Sequence, residues 1–229
     1  MSAETTARHS RACHDNDVLP HEAFPAMTAR FFPSFLAILL AVPLMGLLAL
    51  TGCTGDEADR IDDLSDASFE LVNQDSTTVT FPDDFAGQAI VVGYIYTQCP
   101  DICPMVTANM RQLRDRVDAP DDVAFVTITF DPRRDTPDRL RAYREAYGLG
   151  DTNWQFLTGD PDTISQLMER LDVRVELSRG SYEDDDYLID HTDQISLIDP
   201  QQRVLFHYGG SMTPVDILAE DLATIRPAS

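Results

Sequence analysis

The chain has 229 residues, enough to bury one or two hydrophobic cores, and its 43% apolar content is too high for a disordered polymer. Its 17 basic residues are all arginine and face 30 aspartates and nine glutamates; the net charge of −22, with no basic stretch, excludes a nucleic-acid binder. Such an acidic, lysine-free composition has two readings, GC-rich codon usage or a surface kept hydrated at high salt.

The first feature along the chain is residues 31–50, FFPSFLAILLAVPLMGLLAL, twenty positions without a charge and long enough to span a bilayer as a helix. The run ends in Leu50-Thr51-Gly52-Cys53, an aliphatic residue, two small residues and a cysteine. This ending resembles the cleavage site of bacterial lipoprotein precursors, which implies that Cys53 becomes the lipidated first residue of the mature chain. An uncleaved anchor helix is the alternative. Either way residues 54–229 are expected outside the cytoplasm, tethered to the membrane of a bacterial cell envelope. Residues 1–26 carry Glu4, Asp15, Asp17 and Glu22, which suit a signal peptide badly, whereas Met27 followed by Arg30 suits it well. Translation is therefore expected to begin at Met27, which removes Cys13 and three of the five histidines. The organisation read from this is a signal segment over 1–52, an acidic linker over 53–67 and one domain over 68–229.

Within the domain, residues 68–72 and 77–81 read as a hairpin about 73–76. Residues 89–96, AIVVGYIY, form an apolar, β-branched run and read as a buried central strand. Val106, Met110, Leu113 and Val117 follow at helical spacing, and residues 123–130 give a second central strand. Three helix starts are announced by a capping residue before proline, at Thr136-Pro137, Asp160-Pro161 and Thr213-Pro214. Short strands are expected at 154–157 and 173–177, and a hairpin pairs 195–198 with 204–208. Alternating strands and helices mean an α/β fold, a central sheet with parallel members and helices on both faces. The closing hairpin and last helix match a thioredoxin-like domain, with the first hairpin as an N-terminal addition.

The chemistry lies where the first central strand meets its helix, at Thr97-Gln98-Cys99-Pro100-Asp101-Ile102-Cys103-Pro104. In open α/β sheets, sites form outside the carboxyl ends of the strands. Cysteines four apart on the first turn of a helix share a face, with Cβ atoms about 5–6 Å apart. The helix N-terminus favours their thiolate forms, and two converging thiolates suit Cu(I). The same pair can close a disulfide, structural or redox-active. Two sulfurs leave a copper site incomplete, and only His191 and His207 follow the signal segment. His207 lies within an apolar strand and reads as structural. His191, in a polar loop beside Asp190, is a candidate third ligand.

Three blocks together carry a resemblance. Thr97–Pro104, TQCPDICP, closely resembles the signature of the Sco/SenC family of membrane-tethered copper proteins. Asp131-Pro132-Arg133-Arg134-Asp135-Thr136-Pro137 resembles that family's second block, and Asp190-His191 with Leu197-Ile198-Asp199-Pro200 its third. The resemblance spans residues 68–226 and implies a thioredoxin-like fold. It implies copper, as Cu(I) or Cu(II), held by Cys99, Cys103 and His191. It also implies a role in assembling the dinuclear copper centre of cytochrome c oxidase, with the oxidase's copper-binding subunit as partner. Asp131, Arg134 and Asp135 read first as turn-forming and capping residues. The competing functional class is a thiol–disulfide oxidoreductase using Cys99 and Cys103 without His191. A peroxidase is weaker, because the two cysteines are too close in sequence.

Overall fold

A computed structural model describes residues 60–117 and 122–226. The expected signal segment, Cys53 and the first part of the linker lie outside the described residues. The order of elements is β1 (Asp62–Asp63), β2 (Phe69–Asn73), β3 (Thr78–Phe81), β4 (Ala89–Ile95), α1 (Ile102–Arg116), β5 (Val123–Thr129), α2 (Pro137–Ala146), β6 (Gln155–Thr158), α3 (Pro161–Arg170), β7 (Val175–Arg179), β8 (Leu188–His191), β9 (Ile195–Ile198), β10 (Arg203–Tyr208) and α4 (Val215–Ile225). Eight strands make one sheet in the order β1-β10-β9-β4-β5-β6-β2-β3. The β4–β5 and β5–β6 pairs are parallel, and the β2–β3 hairpin extends the sheet antiparallel beyond β6.

Every residue of β4 and β5 is buried, as a strand covered on both faces requires. Alternation along β4 shows which helix covers which face. Gly93 turns toward α1, where a Cβ would lie 2.3 Å from Met110 Sδ, so its missing side chain lets the helix close on the strand. Tyr94 turns the other way and shares a 2.9 Å hydrogen bond with Ser196 Oγ. That face continues through Gln194, whose amide donates to the carbonyl of Leu171 just past α3. Tyr143 of α2 packs on Phe156 and Trp154 donates to Thr127 Oγ1, on the α1 side. Helices α1, α2 and α4 thus cover one face and α3 the other.

The predicted caps hold at two helices. Thr136 Oγ1 accepts from the Arg139 amide, and Asp160 Oδ1 accepts from the amides of Asp162 and Thr163. The third differs: Pro214 itself occupies the cap position of α4, and no side chain caps that end. Two other features depart from expectation. Residues 60–67, read as linker, dock on the domain: Asp62 and Asp63 pair with β10, Leu64 is fully buried, and Arg170 binds Asp62 and Asp66. The strand expected at 173–177 lies at Val175–Arg179 and pairs with β8, which occupies what was expected to be a polar loop around His191, and the acidic stretch 180–187 is the tip between them.

Candidate metal centre

Cys99 lies in the connection between β4 and α1, half-buried, while Cys103 is in the first turn of α1 and fully buried. The two cysteines therefore do not both ride on the helix, as their spacing suggested. Proline at 100 and the turn at 97–98 hold Cys99 ahead of the helix start, where the amide of Cys103 points at its Sγ, 3.5 Å away. Both thiols are free.

His191 arrives from the opposite side as the last residue of β8, paired with Val175. Its placement on a strand, not in a loop, fixes its ring. Nδ1 lies 2.9 Å from the Thr192 carbonyl, which can only accept, so Nδ1 carries the proton. Nε2 then presents a lone pair, 3.5 Å from Cys103 Sγ. Phe130 lies against the imidazole at 4.5 Å between centroids, and Tyr96 meets it edge-on at 6.1 Å. The two Sγ atoms and the imidazole nitrogen all fall within 4.8 Å of one another.

The two thiols are unequal. A hydrogen bond from Cys103, helped by the amides of Asp101 and Cys103 and working against burial, lowers the pKa of Cys99 to about 4. Burial raises that of Cys103 far above the usual thiol range, and its hydrogen bond to Cys99 and that neighbour's charge add to the effect. At neutral pH the pair is one thiolate and one thiol, whereas the helix N-terminus alone suggested two thiolates.

The chain's relatives share this arrangement of elements. The sequence model of the SCO1/SenC family matches residues 57–226. The chain belongs to the SCO1/SenC family. It is 29% identical over 156 residues to the SCO1 protein homolog of Bacillus subtilis, covering 67% of this chain and 79% of that one. It is 30% identical over 148 residues to the mitochondrial SCO1 homolog of Homo sapiens, covering 63% of this chain and 48% of the human protein. Among solved structures, copper-bound ScoI of Bradyrhizobium japonicum matches with a TM-score of 0.57 and 27% identity, over 69% of this chain and 97% of that one. A SCO1/SenC family lipoprotein of Bacillus anthracis matches with a TM-score of 0.61 at the same identity, over 69% and 92%. BsSco, a member of the Sco family of cytochrome c oxidase assembly proteins in which a disulfide switch was identified, matches with a TM-score of 0.58 and 27% identity, over 73% and 93%.

Beneath the centre of this SCO1/SenC chain lies a buried polar network built from the second sequence block. Asp135 is fully buried and accepts from the Thr97 amide (2.9 Å), Thr97 Oγ1 (2.5 Å) and Thr129 Oγ1 (2.6 Å), so it grips the loop two residues before Cys99. Burial pushes its carboxyl pKa up against these three hydrogen bonds. Arg134 binds Asp131 at 2.6 Å, donates to Gln98 Oε1 and to the carbonyls of Asp185 and Tyr187, and stacks 3.4 Å from the centre of the Tyr187 ring. Tyr187 in turn donates to Asp131 Oδ1 at 2.5 Å. One guanidinium thus ties the cysteine loop to the approach of β8, the strand that ends in His191. Asp131, Arg134 and Asp135 do more than form a turn and cap a helix: they fix both sides of the centre.

Sequence reasoning missed Gln98, Thr129, Phe130 and Tyr187 as parts of this site. Thr129 ends β5 and Phe130 follows directly after it; the rest of that strand is core, and nothing in their type separates these two. Tyr187 carried a usable signal, an aromatic directly after four acids and three residues before the Asp190-His191 pair. His207, read as structural, is so: its Nδ1 lies 2.8 Å from Ser196 Oγ and 3.1 Å from Gln194 Nε2.

Proposed function

We propose that this SCO1/SenC chain binds one copper ion through Cys99 Sγ, Cys103 Sγ and His191 Nε2 and serves the assembly of the copper centre of cytochrome c oxidase. The observation that carries the reading is the imidazole lone pair held against two sulfurs. At metal–donor bonds of about 2.0–2.3 Å, a three-coordinate ion needs donors roughly 3.5–4 Å apart. The observed 3.5 Å between Cys103 and His191, within a group spanning at most 4.8 Å, needs only small adjustment. Two soft sulfurs suit Cu(I), and the nitrogen makes the set acceptable to Cu(II). Copper is cargo here and the protein a carrier rather than an enzyme. The copper-binding oxidase subunit is the partner, and the chain is tethered outside the cytoplasm through lipid on Cys53.

A second reading keeps Cys99 and Cys103 as a redox pair that reduces cysteines of the oxidase subunit. What favours it is the half-buried Cys99, acidic enough to be a thiolate at neutral pH, beside a thiol able to resolve a mixed disulfide. The disulfide switch of BsSco is consistent with such a pair. The two readings part at His191, which a disulfide exchanger does not need. Anaerobic titration of the detergent-solubilised full chain with Cu(I) and Cu(II) tests this. Cys99→Ser and Cys103→Ser should abolish tight binding of both ions. His191→Ala should weaken Cu(II) far more than Cu(I), remove a nitrogen ligand from the Cu(II) paramagnetic resonance spectrum, and spare disulfide reduction of a model peptide. An unchanged Cu(II) spectrum in His191→Ala would hand the site to the oxidoreductase reading.

A further inference from the structure

The centre poses an access problem. Cys103 is fully buried and Cys99 half-buried, yet Cu(I) must come from outside. Six sulfur side chains occur among the described residues. Met110 and Met168 are buried, and the two exposed ones are Met105, at 41%, and Met212, at 81%. Both stand on segments tied to those that carry the metal centre. Met105 lies in α1 two residues beyond Cys103 and one turn ahead of Asn109, on the same helix face. The Asn109 amide donates at 2.8 Å to the carbonyl of Gly210, two residues before Met212.

The turn that carries Met212 is held at both ends. Asp193, two residues after His191, accepts from the Ser211 amide at 2.9 Å and from Ser211 Oγ at 2.5 Å. The amides of Met212 and Thr213 close back on the Gly209 carbonyl. Gly210 packs so tightly that a Cβ there would lie 3.0 Å from Val106 Cγ2 and from the backbone of Gln194. The backbone around Met212 is fixed to both the cysteine helix and the histidine segment while its thioether stands in solvent. A single exposed methionine needs no explanation, but two do when one rides on the cysteine helix and the other on a turn bonded to both that helix and the histidine segment.

We propose that Met105 and Met212 form a soft-sulfur rim that captures Cu(I) and passes it inward to Cys99 and Cys103. The inference rests on the copper reading given above and adds the route of entry. Thioethers bind Cu(I) in preference to harder ions and hold it weakly, as a transit site requires. The ion stays Cu(I) throughout. A bond to the incoming ligand breaks as a Cu–Sδ bond forms. That bond then breaks as Cys99 Sγ takes the ion, any proton it carries passing to solvent. Cys103 loses its thiol proton to solvent as its sulfur completes the pair.

The test uses the full chain in detergent, without oxygen, loaded from Cu(I)–acetonitrile in a stopped-flow instrument. Met105→Leu/Met212→Leu keeps the apolar shape and removes both sulfurs. It should load about tenfold more slowly, a rise of about 1.4 kcal/mol in the barrier to loading, with the final Cu(I) affinity unchanged. An unchanged loading rate would overturn the rim, and a loss of final affinity would overturn its transit role by making the methionines resident ligands. A second measurement does not depend on the buried site. In Cys99→Ser/Cys103→Ser, with methionine methyl groups labelled, Ag(I) as a diamagnetic soft probe should shift the resonances of Met105 and Met212 and leave those of Met110 and Met168 in place. Unmoved rim resonances would also overturn the proposal. If instead the unsubstituted chain takes up no tightly held Cu(I), the copper reading itself fails, and the silver titration still decides whether the rim binds soft metal.

Discussion

Arg134→Met separates a clamp from a mere turn residue. The Arg134 and Asp131 side chains are only 6% and 1% exposed, with 2.6 Å between Nε and Oδ2, so solvent screening offers no discount. Removing the guanidinium strands a buried carboxylate whose remaining side-chain partner is the Tyr187 hydroxyl. It also frees Gln98 and two carbonyls of the β7–β8 connection. Breaking a buried pair from one side costs about 3–5 kcal/mol, and that is the expected loss in unfolding free energy. Denaturant melts of the apo full chain, read at fixed m-value, measure it. Arg134→Lys should recover little, because an ammonium reproduces neither the fork to Asp131 and Gln98 nor the stacking on Tyr187. Asp131→Asn in the Arg134→Met background should recover part of the loss by removing the stranded charge. The clamp also predicts weaker Cu(II) binding in Arg134→Met, since it positions Cys99 and His191 without touching the ion. A loss below about 1 kcal/mol, the range of an exposed pair, would refute the reasoning.

Three further outcomes follow from the same structure. His207 is held below its ordinary pKa by burial, with its Nδ1 accepting from the Gln194 amide; its stabilising contribution is present above the unfolded value near 6.5 and lost as pH falls toward the folded value. Unfolding free energy should therefore decline as pH drops below about 6.5, and less steeply in His207→Gln. If the acidic surface is a salt adaptation, the melting temperature should rise between 0.1 and 1 M KCl, as the Debye length shrinks from about 10 to about 3 Å and screens a net −22; a flat or falling Tm leaves codon usage as the account. Cu(I) loading at pH 7 should release about one proton per ion, read by calorimetry in buffers of different ionisation enthalpy, because Cys99 has already lost its proton and Cys103 has not.

The parts of this architecture legible in sequence are those whose signal is local. Near-continuous apolar, β-branched runs marked β4 and β5, and a cap followed by proline marked α2 and α3, because burial on both faces and orphan amides demand those residue types. The β7–β8 pair was not legible as a sheet: its exposed residues lack alternation, and the acidic tip gives no strand signal. Leu64 was hidden for the opposite reason, as one apolar residue among acids whose burial comes from strand pairing with β10, distant in sequence. The candidate ligands were legible by type, and the inequality of the two thiols was not. Cys99 and Cys103 look alike along the chain, and only the depth of Cys103 in the core and the amides turned on Cys99 separate them.

That inequality joins the two chemistries of the site. In the metal-free pair, the Cys103 proton serves Cys99 and His191 together, since both accept from the one buried thiol. Copper would have to take the place of that proton among the same three atoms. Metal and proton are therefore competing occupants, and the clamp through Arg134 and Asp135 holds the donors close for either one. A thiolate stabilised by its neighbour's proton is also a ready nucleophile toward a disulfide, with that neighbour placed to resolve the product. Copper carriage and the proposed thiol exchange need not come from two separate sites: each replaces the same proton, and His191, which thiol exchange does not require, is the residue that tells them apart.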